Sequence, residues 1–165
     1  MPVVIDGTTG IDTPQVNAAS FNITALNSTI STLLARNIYE TINATATAAT
    51  GNVTFNTLTQ TVLYYTTNAS ANFGVAITGN STVTLNSLLA NGQTVSLAFL
   101  NSNGITPYYA NDTFIDGSRV APYWQGGSAP VQGNANSIDL YTYTVIKTAP
   151  STFTVLASQS RYANT

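Results

Sequence analysis

From Gly51 onward the chain is cut at short intervals by turn pairs: Gly79-Asn80, Asn91-Gly92, Asn103-Gly104, Asp116-Gly117, Gly126-Gly127 and Gly133-Asn134. Glycine takes up positive φ at no steric cost and Asn or Asp tolerates it, so each pair reads as a turn or chain reversal. Between the pairs lie short runs rich in β-branched and aromatic residues. They predict strands at Val53–Tyr65, Phe73–Thr78, Thr82–Leu85, Thr94–Leu100, Ile105–Ala110, Thr113–Ile115, Arg119–Trp124, Ile138–Lys147 and Thr152–Gln159. Residues 51–162 therefore read as nearly all β, and the spacing of the turns predicts a sandwich or jelly roll. Ser87–Asn91 reads as a single 3-10 turn between strands.

The strands do not separate into a greasy face and a wet one. In Ile138–Lys147 one side carries Ile138, Leu140, Thr142, Thr144 and Ile146, the other Asp139, Tyr141, Tyr143, Val145 and Lys147. In Thr94–Leu100, Val95, Leu97 and Phe99 oppose Ala98 and Leu100. Two faces of similar polarity imply that both are covered, one by the core and one by another subunit.

Upstream the pattern changes. Ile23, Leu26, Ile30 and Leu33 are spaced three, four and three, an a/d seam over two heptads. The spacing then shifts to Leu34, Ile38 and Ile42, which turns the seam toward a neighbouring face. Ser20 or Asn22 suits the start of a helix and Gly51 its stop. The abundant Thr lowers helix propensity, so such a helix needs a partner, either its own domain or another subunit. Residues 1–19 read as an extended docking arm, with Val3, Val4, Ile5, Ile11 and Val16 as its apolar contacts and Pro14 at an edge or reversal.

Composition narrows the chemistry. The chain has no His and no Cys, and 6% of its residues are charged. The usual acid/base group, the thiolate nucleophile and the commonest transition-metal ligands are thus missing, and no cofactor is implied. Four Lys and Arg residues are too few to neutralise a phosphate backbone, which speaks against nucleic acid. No apolar run is long enough to span a membrane, and the first twelve residues do not read as a signal peptide. Asn-x-Ser/Thr triplets occur at Asn22, Asn27, Asn43, Asn52, Asn68, Asn80 and Asn111, as a chain this rich in Asn, Ser and Thr produces without selection for glycosylation.

Few residues remain as site candidates. Asp112 and Asp116 lie four apart around a turn, the spacing of a hard-cation or carboxylate-pair site, but Phe114-Ile115-Asp116-Gly117 also reads as a strand running into a reversal. With no His, a Ser nucleophile would need Lys147 or a carboxylate as its base, and Lys147 reads as the solvent-exposed end of a strand. Among the aromatics, Trp124, Tyr123 and Tyr108 offer flat faces for glycan stacking. Trp124 also suits a core plug whose N–H bonds a carbonyl. On these grounds the chain is expected to be structural or adhesive and not an enzyme.

Two regions resemble known sequences. Val4-Ile5-Asp6-Gly7-Thr8-Thr9-Gly10-Ile11 resembles a segment common in tailed-phage fibre proteins. Thr82–Val95, Phe114–Gly117, Trp124-Gln125-Gly126-Gly127, Ser137–Tyr143 and Val145–Thr148 resemble a β-domain that closes many structural proteins of tailed phages, cyanophages in particular. The resemblance spans roughly residues 53–163 and carries no catalytic residues. It implies a mainly β homotrimer on the virion exterior: docking arm 1–19, short coiled-coil-like helical stalk 20–50, and β-sandwich or jelly-roll head 51–165. In that arrangement Ile23, Leu26, Ile30 and Leu33 face the trimer axis, and the arm docks on the major capsid protein or another virion component. The short stalk suits a head fibre or capsid decoration. The alternative is a tail- or neck-associated adhesin that binds host-surface polysaccharide.

Overall fold

The computed structural model describes residues 42–163. The expected arm residues Val3, Val4, Ile5, Ile11 and Val16, and the expected seam residues Ile23, Leu26, Ile30 and Leu33, lie outside the described residues.

The far end of the expected stalk is not helical. Asn43–Ala48 is a strand, β1, and Gly51–Asn56 is β2. Ala and Thr alternate from 44 to 48, a period of two that suits a pleat. Gly51, at φ 56°, opens β2 where it was expected to end a helix. The remaining elements are β3 (Val62–Thr67), β4 (Phe73–Thr78), a one-turn helix α1 (Leu85–Leu88), β5 (Thr94–Asn103), β6 (Ala110–Ile115), β7 (Ser118–Val120), β8 (Tyr123–Trp124), a 3-10 turn at Gln125–Gly127, β9 (Ser137–Ala149) and β10 (Thr152–Ala163).

They form two sheets, ordered β1-β3-β5-β9-β10-β8 and β2-β4-β6-β7. From β1 to β6 each strand enters the opposite sheet to its predecessor, and β1 to β4 each pair in parallel with the strand two places on. The chain thus winds as stacked rungs. Antiparallel pairing enters only with the β6–β7 and β9–β10 hairpins and where β9 docks on β5, while β8 runs parallel to β10. The mainly β expectation holds, with two mixed sheets; a jelly roll is antiparallel throughout and this topology is not.

Local chemistry explains where strands differ from expectation. Val53–Tyr65 breaks at residues 57–61, where the Thr59 N–H and hydroxyl both donate to the Asn56 carbonyl. Thr82–Leu85 is no strand because Asn80 Oδ1 captures the N–H groups of Thr82 and Val83, and Thr84 caps α1 by accepting from Ser87 N. In Ile105–Ala110 Pro107 lacks a donor and Asn103 Oδ1 binds the Tyr108 N–H, so only Ala110 joins a strand. Arg119–Trp124 splits around Pro122 into β7 and β8, which belong to different sheets.

The core lies between the sheets. Phe99 meets Phe73 and Tyr65 edge-on at 5.5 and 5.4 Å, and Tyr141 meets Phe73 at 5.9 Å. Val53, Phe55, Val75, Ile77, Leu97, Val145 and Val155 fill the remaining layers. On β4 Gly74 is required by close approach, since a Cβ there would lie 2.6 Å from Asn52 Oδ1 and 2.8 Å from the Phe114 ring.

Candidate functional site

Short-range alternation decides which candidates meet. β8 joins the six-stranded sheet through Tyr123 opposite Leu156 and Trp124 opposite Ala157. Ala157 is buried and Leu156 exposed, so successive β8 side chains go to opposite faces. Tyr123 points outward and is 70% exposed. Trp124 turns inward, half-buried, with its ring 6.1 Å from that of Tyr143 at an interplanar angle of 68°. Its indole N–H has no protein acceptor among the described residues, where a carbonyl partner was expected.

Trp124 lines two grooves. The first, about 440 Å³, lies between β6 and β8 and is walled by Asp112, Arg119, Val120, Pro122 and Ala129. It exists because β7 stops at Val120, opposite Thr113, and leaves the Ala110–Asp112 edge of β6 unpaired on that side. The second, about 400 Å³, lies on the outer sheet face among Tyr123, Thr142, Thr144, Leu156 and Ser158. Tyr108 joins neither groove. Its backbone N–H and carbonyl hold the Asn103 side chain, and its ring packs against the core.

Asp112 and Asp116 do not form a joint site. Asp112 Oδ1 accepts from Arg119 Nε at 2.6 Å and from Arg119 Nη2. Asp116 sits in the two-residue β6–β7 turn at φ 50°, followed by Gly117 at φ 81°, the reversal that the Asp-Gly pair predicts. Its carboxylate accepts from Leu85 N at 2.7 Å, Asn86 N at 2.9 Å and Thr78 Oγ1 at 3.1 Å.

Lys147 corrects its sequence reading. It is 7% exposed, and its ammonium donates to the Asn86 and Leu89 carbonyls at the other end of α1. Asp139 went unnoticed in the sequence although it shares Lys147's alternation class. It is fully buried and accepts from Asn103 Nδ2, Asn134 N, Ser137 Oγ and Gln159 Nε2 at 3.1–3.3 Å. Burial raises its pKa, and the hydrogen bonds from Asn134, Ser137 and Gln159 together with Arg161 oppose the rise. Burial likewise raises the pKa of Tyr141, whose hydroxyl accepts from Ala110 N and Gln159 Nε2, both at 3.1 Å.

Among the described residues no group of three or more His, Cys, Asp or Glu side chains can hold a metal ion, and no helix is long and apolar enough to cross a membrane. Compared with known proteins, the chain matches no family, no curated protein and no solved structure.

Proposed function

We propose that the chain is a non-enzymatic structural protein of a tailed-phage virion: a short trimeric fibre or capsid decoration, attached through its N-terminal arm and exposed on the particle. The observation that carries the assembly part is the outer face of the six-stranded sheet. Its positions are Ala44, Val62, Tyr64, Thr94, Ser96, Ala98, Leu100, Ser102, Tyr123, Ile138, Leu140, Thr142, Thr144, Ile146, Thr154, Leu156, Ser158 and Ser160, without one charged side chain. A wide uncharged face of hydroxyls and aliphatic groups can be buried against another subunit without desolvating an ion. A non-catalytic role is supported by the state of the ionisable groups, since Asp112, Asp116, Asp139 and Lys147 are each engaged with protein partners. The phage assignment rests on the sequence resemblance of residues 4–11 and 82–148.

The test is the mass of the full chain by light scattering at micromolar concentration, joined to immunogold labelling of particles. A trimer is expected on the first measurement and label on the capsid exterior on the second. A monomer overturns the assembly, and particles without label overturn the virion role.

A further inference from the structure

We infer that the groove between β6 and β8 is a binding site for a neutral hexopyranosyl unit, with Trp124 as its stacking surface and the Asp112–Arg119 pair reading its hydroxyls. Three features of the groove carry this. Its volume of about 440 Å³ falls in the range of small-molecule sites, roughly 300–1,000 Å³. Its lining has two chemistries side by side: an indole with Val120, Pro122 and Ala129, then a carboxylate and a guanidinium. A pyranose has the same division, with C–H groups on its ring face and hydroxyls on its edge, so face and edge each meet a matching wall.

The polar groups are also free to act. The Arg119 contacts shown both fall on Asp112 Oδ1, and among the described residues no hydrogen bond is made to Asp112 Oδ2 or from the remaining guanidinium N–H groups. A carboxylate oxygen beside a guanidinium N–H offers one acceptor and one donor, the combination that two neighbouring sugar hydroxyls satisfy.

Charge selects the class of sugar. Asp112 offsets Arg119, so the groove has no net charge to attract a uronate or phosphosugar, and the free Oδ2 repels one. The free edge of β6, Ala110–Asp112, is too short for an added peptide strand of ordinary length (about five residues). The site stands apart from the assembly reading. A trimer indifferent to sugars overturns this inference alone, and a monomer that binds them overturns only the assembly.

Trp124 is the chain's one tryptophan, so its emission reports on the groove directly. The full chain is titrated with methyl glycosides of glucose, galactose, mannose and N-acetylglucosamine, with methyl glucuronide as the anionic comparator. A saturable change with at least one neutral glycoside is expected, with weaker binding of the glucuronide. Arg119→Ala and Asp112→Asn should each weaken binding by about tenfold or more, with the melting temperature unchanged. If Arg119→Ala lowers the melting temperature, Arg119→Lys carries the same test, because it keeps the charge and loses the planar fork. No saturable change, equal affinity in the Arg119 variants, tighter binding of the glucuronide, or a response only to an extended peptide each overturns the inference.

Discussion

Asp116 and Lys147 grip opposite ends of α1: the carboxylate accepts the N–H groups of Leu85 and Asn86, and the ammonium donates to the carbonyls of Asn86 and Leu89. Each charge matches the partial charge of the helix end it meets. Asp116 belongs to the turn of the β6–β7 hairpin and Lys147 to β9, and Asn86 also accepts the N–H of Ser151 in the β9–β10 turn. One helical turn thereby ties a hairpin of one sheet to a hairpin of the other.

That arrangement predicts coupling between distant residues. Asp116→Asn keeps a side chain that tolerates φ 50° and removes the charge, so it should cost about 1 kcal/mol. Lys147→Met keeps the buried aliphatic stem and strands two carbonyls, at about 1–3 kcal/mol. Because both act on α1, the double variant should lose less than the sum of the singles by more than about 0.5 kcal/mol in chemical denaturation. Strict additivity would show that the two ends of α1 are independent.

A second tie between the sheets runs through Tyr141 of β9, whose hydroxyl accepts the N–H of Ala110 in β6. Tyr141→Phe leaves the ring in its aromatic cluster and leaves that buried N–H without an acceptor. A loss of about 1–3 kcal/mol is expected in urea unfolding with the slope unchanged. A loss much below that range would mean that water replaces the hydroxyl.

The strands were legible where turn chemistry and alternation agree, as in Phe73–Thr78 and in the Asp116-Gly117 hairpin. Their pairing was not, since a turn pair serves a parallel winding and an antiparallel meander equally. The alternation of β9 was also visible, but not its sense. The set holding Asp139 and Lys147 faces inward and the set holding Ile138, Leu140 and Ile146 outward. Their partners explain this, because Asn86, Leu89, Asn103 and Asn134 come from loops and strands that no local pattern connects to β9. At the groove between β6 and β8, Trp124 stood out as an aromatic, whereas Arg119 did not. Its meeting with Asp112 follows only once the two-residue turn sets Phe114 opposite Arg119, two residues from Asp112 and on the same side of the strand.

Asp139 predicts a pH dependence of uncommon sign. Its folded pKa is raised by burial, so the folded chain holds the proton more tightly than the unfolded one. Its contribution to stability is then largest below the unfolded carboxylate pKa of about 3.9 and declines as pH rises through the folded value. In Asp139→Asn the oxygen that accepts from Asn103, Asn134 and Gln159 can remain, while the new amide faces Ser137 Oγ, a competent acceptor. Stability measured from pH 4 to pH 7 should fall more steeply in the wild type than in Asp139→Asn. Parallel curves would assign no linkage to this carboxylate.

The uncharged outer face makes the assembly reading testable at single residues. Leu156 is 46% exposed and Thr142 is exposed beside Ser158, both at the centre of that face. Substitution there touches no core residue, so Leu156→Lys and Thr142→Glu should change the stability of the isolated subunit by no more than about 0.5 kcal/mol. In an assembly that buries the face, each places an uncompensated charge in the interface of every subunit, a cost of several kcal/mol per ion. Light scattering should therefore show a trimer for the wild type and monomers for both variants. Ile105→Lys, at a residue 85% exposed in the loop between β5 and β6, should leave the mass unchanged. Trimers in all the variants would remove this face from the interface, and dissociation by Ile105→Lys as well would point to a general charge effect unconnected with the sheet.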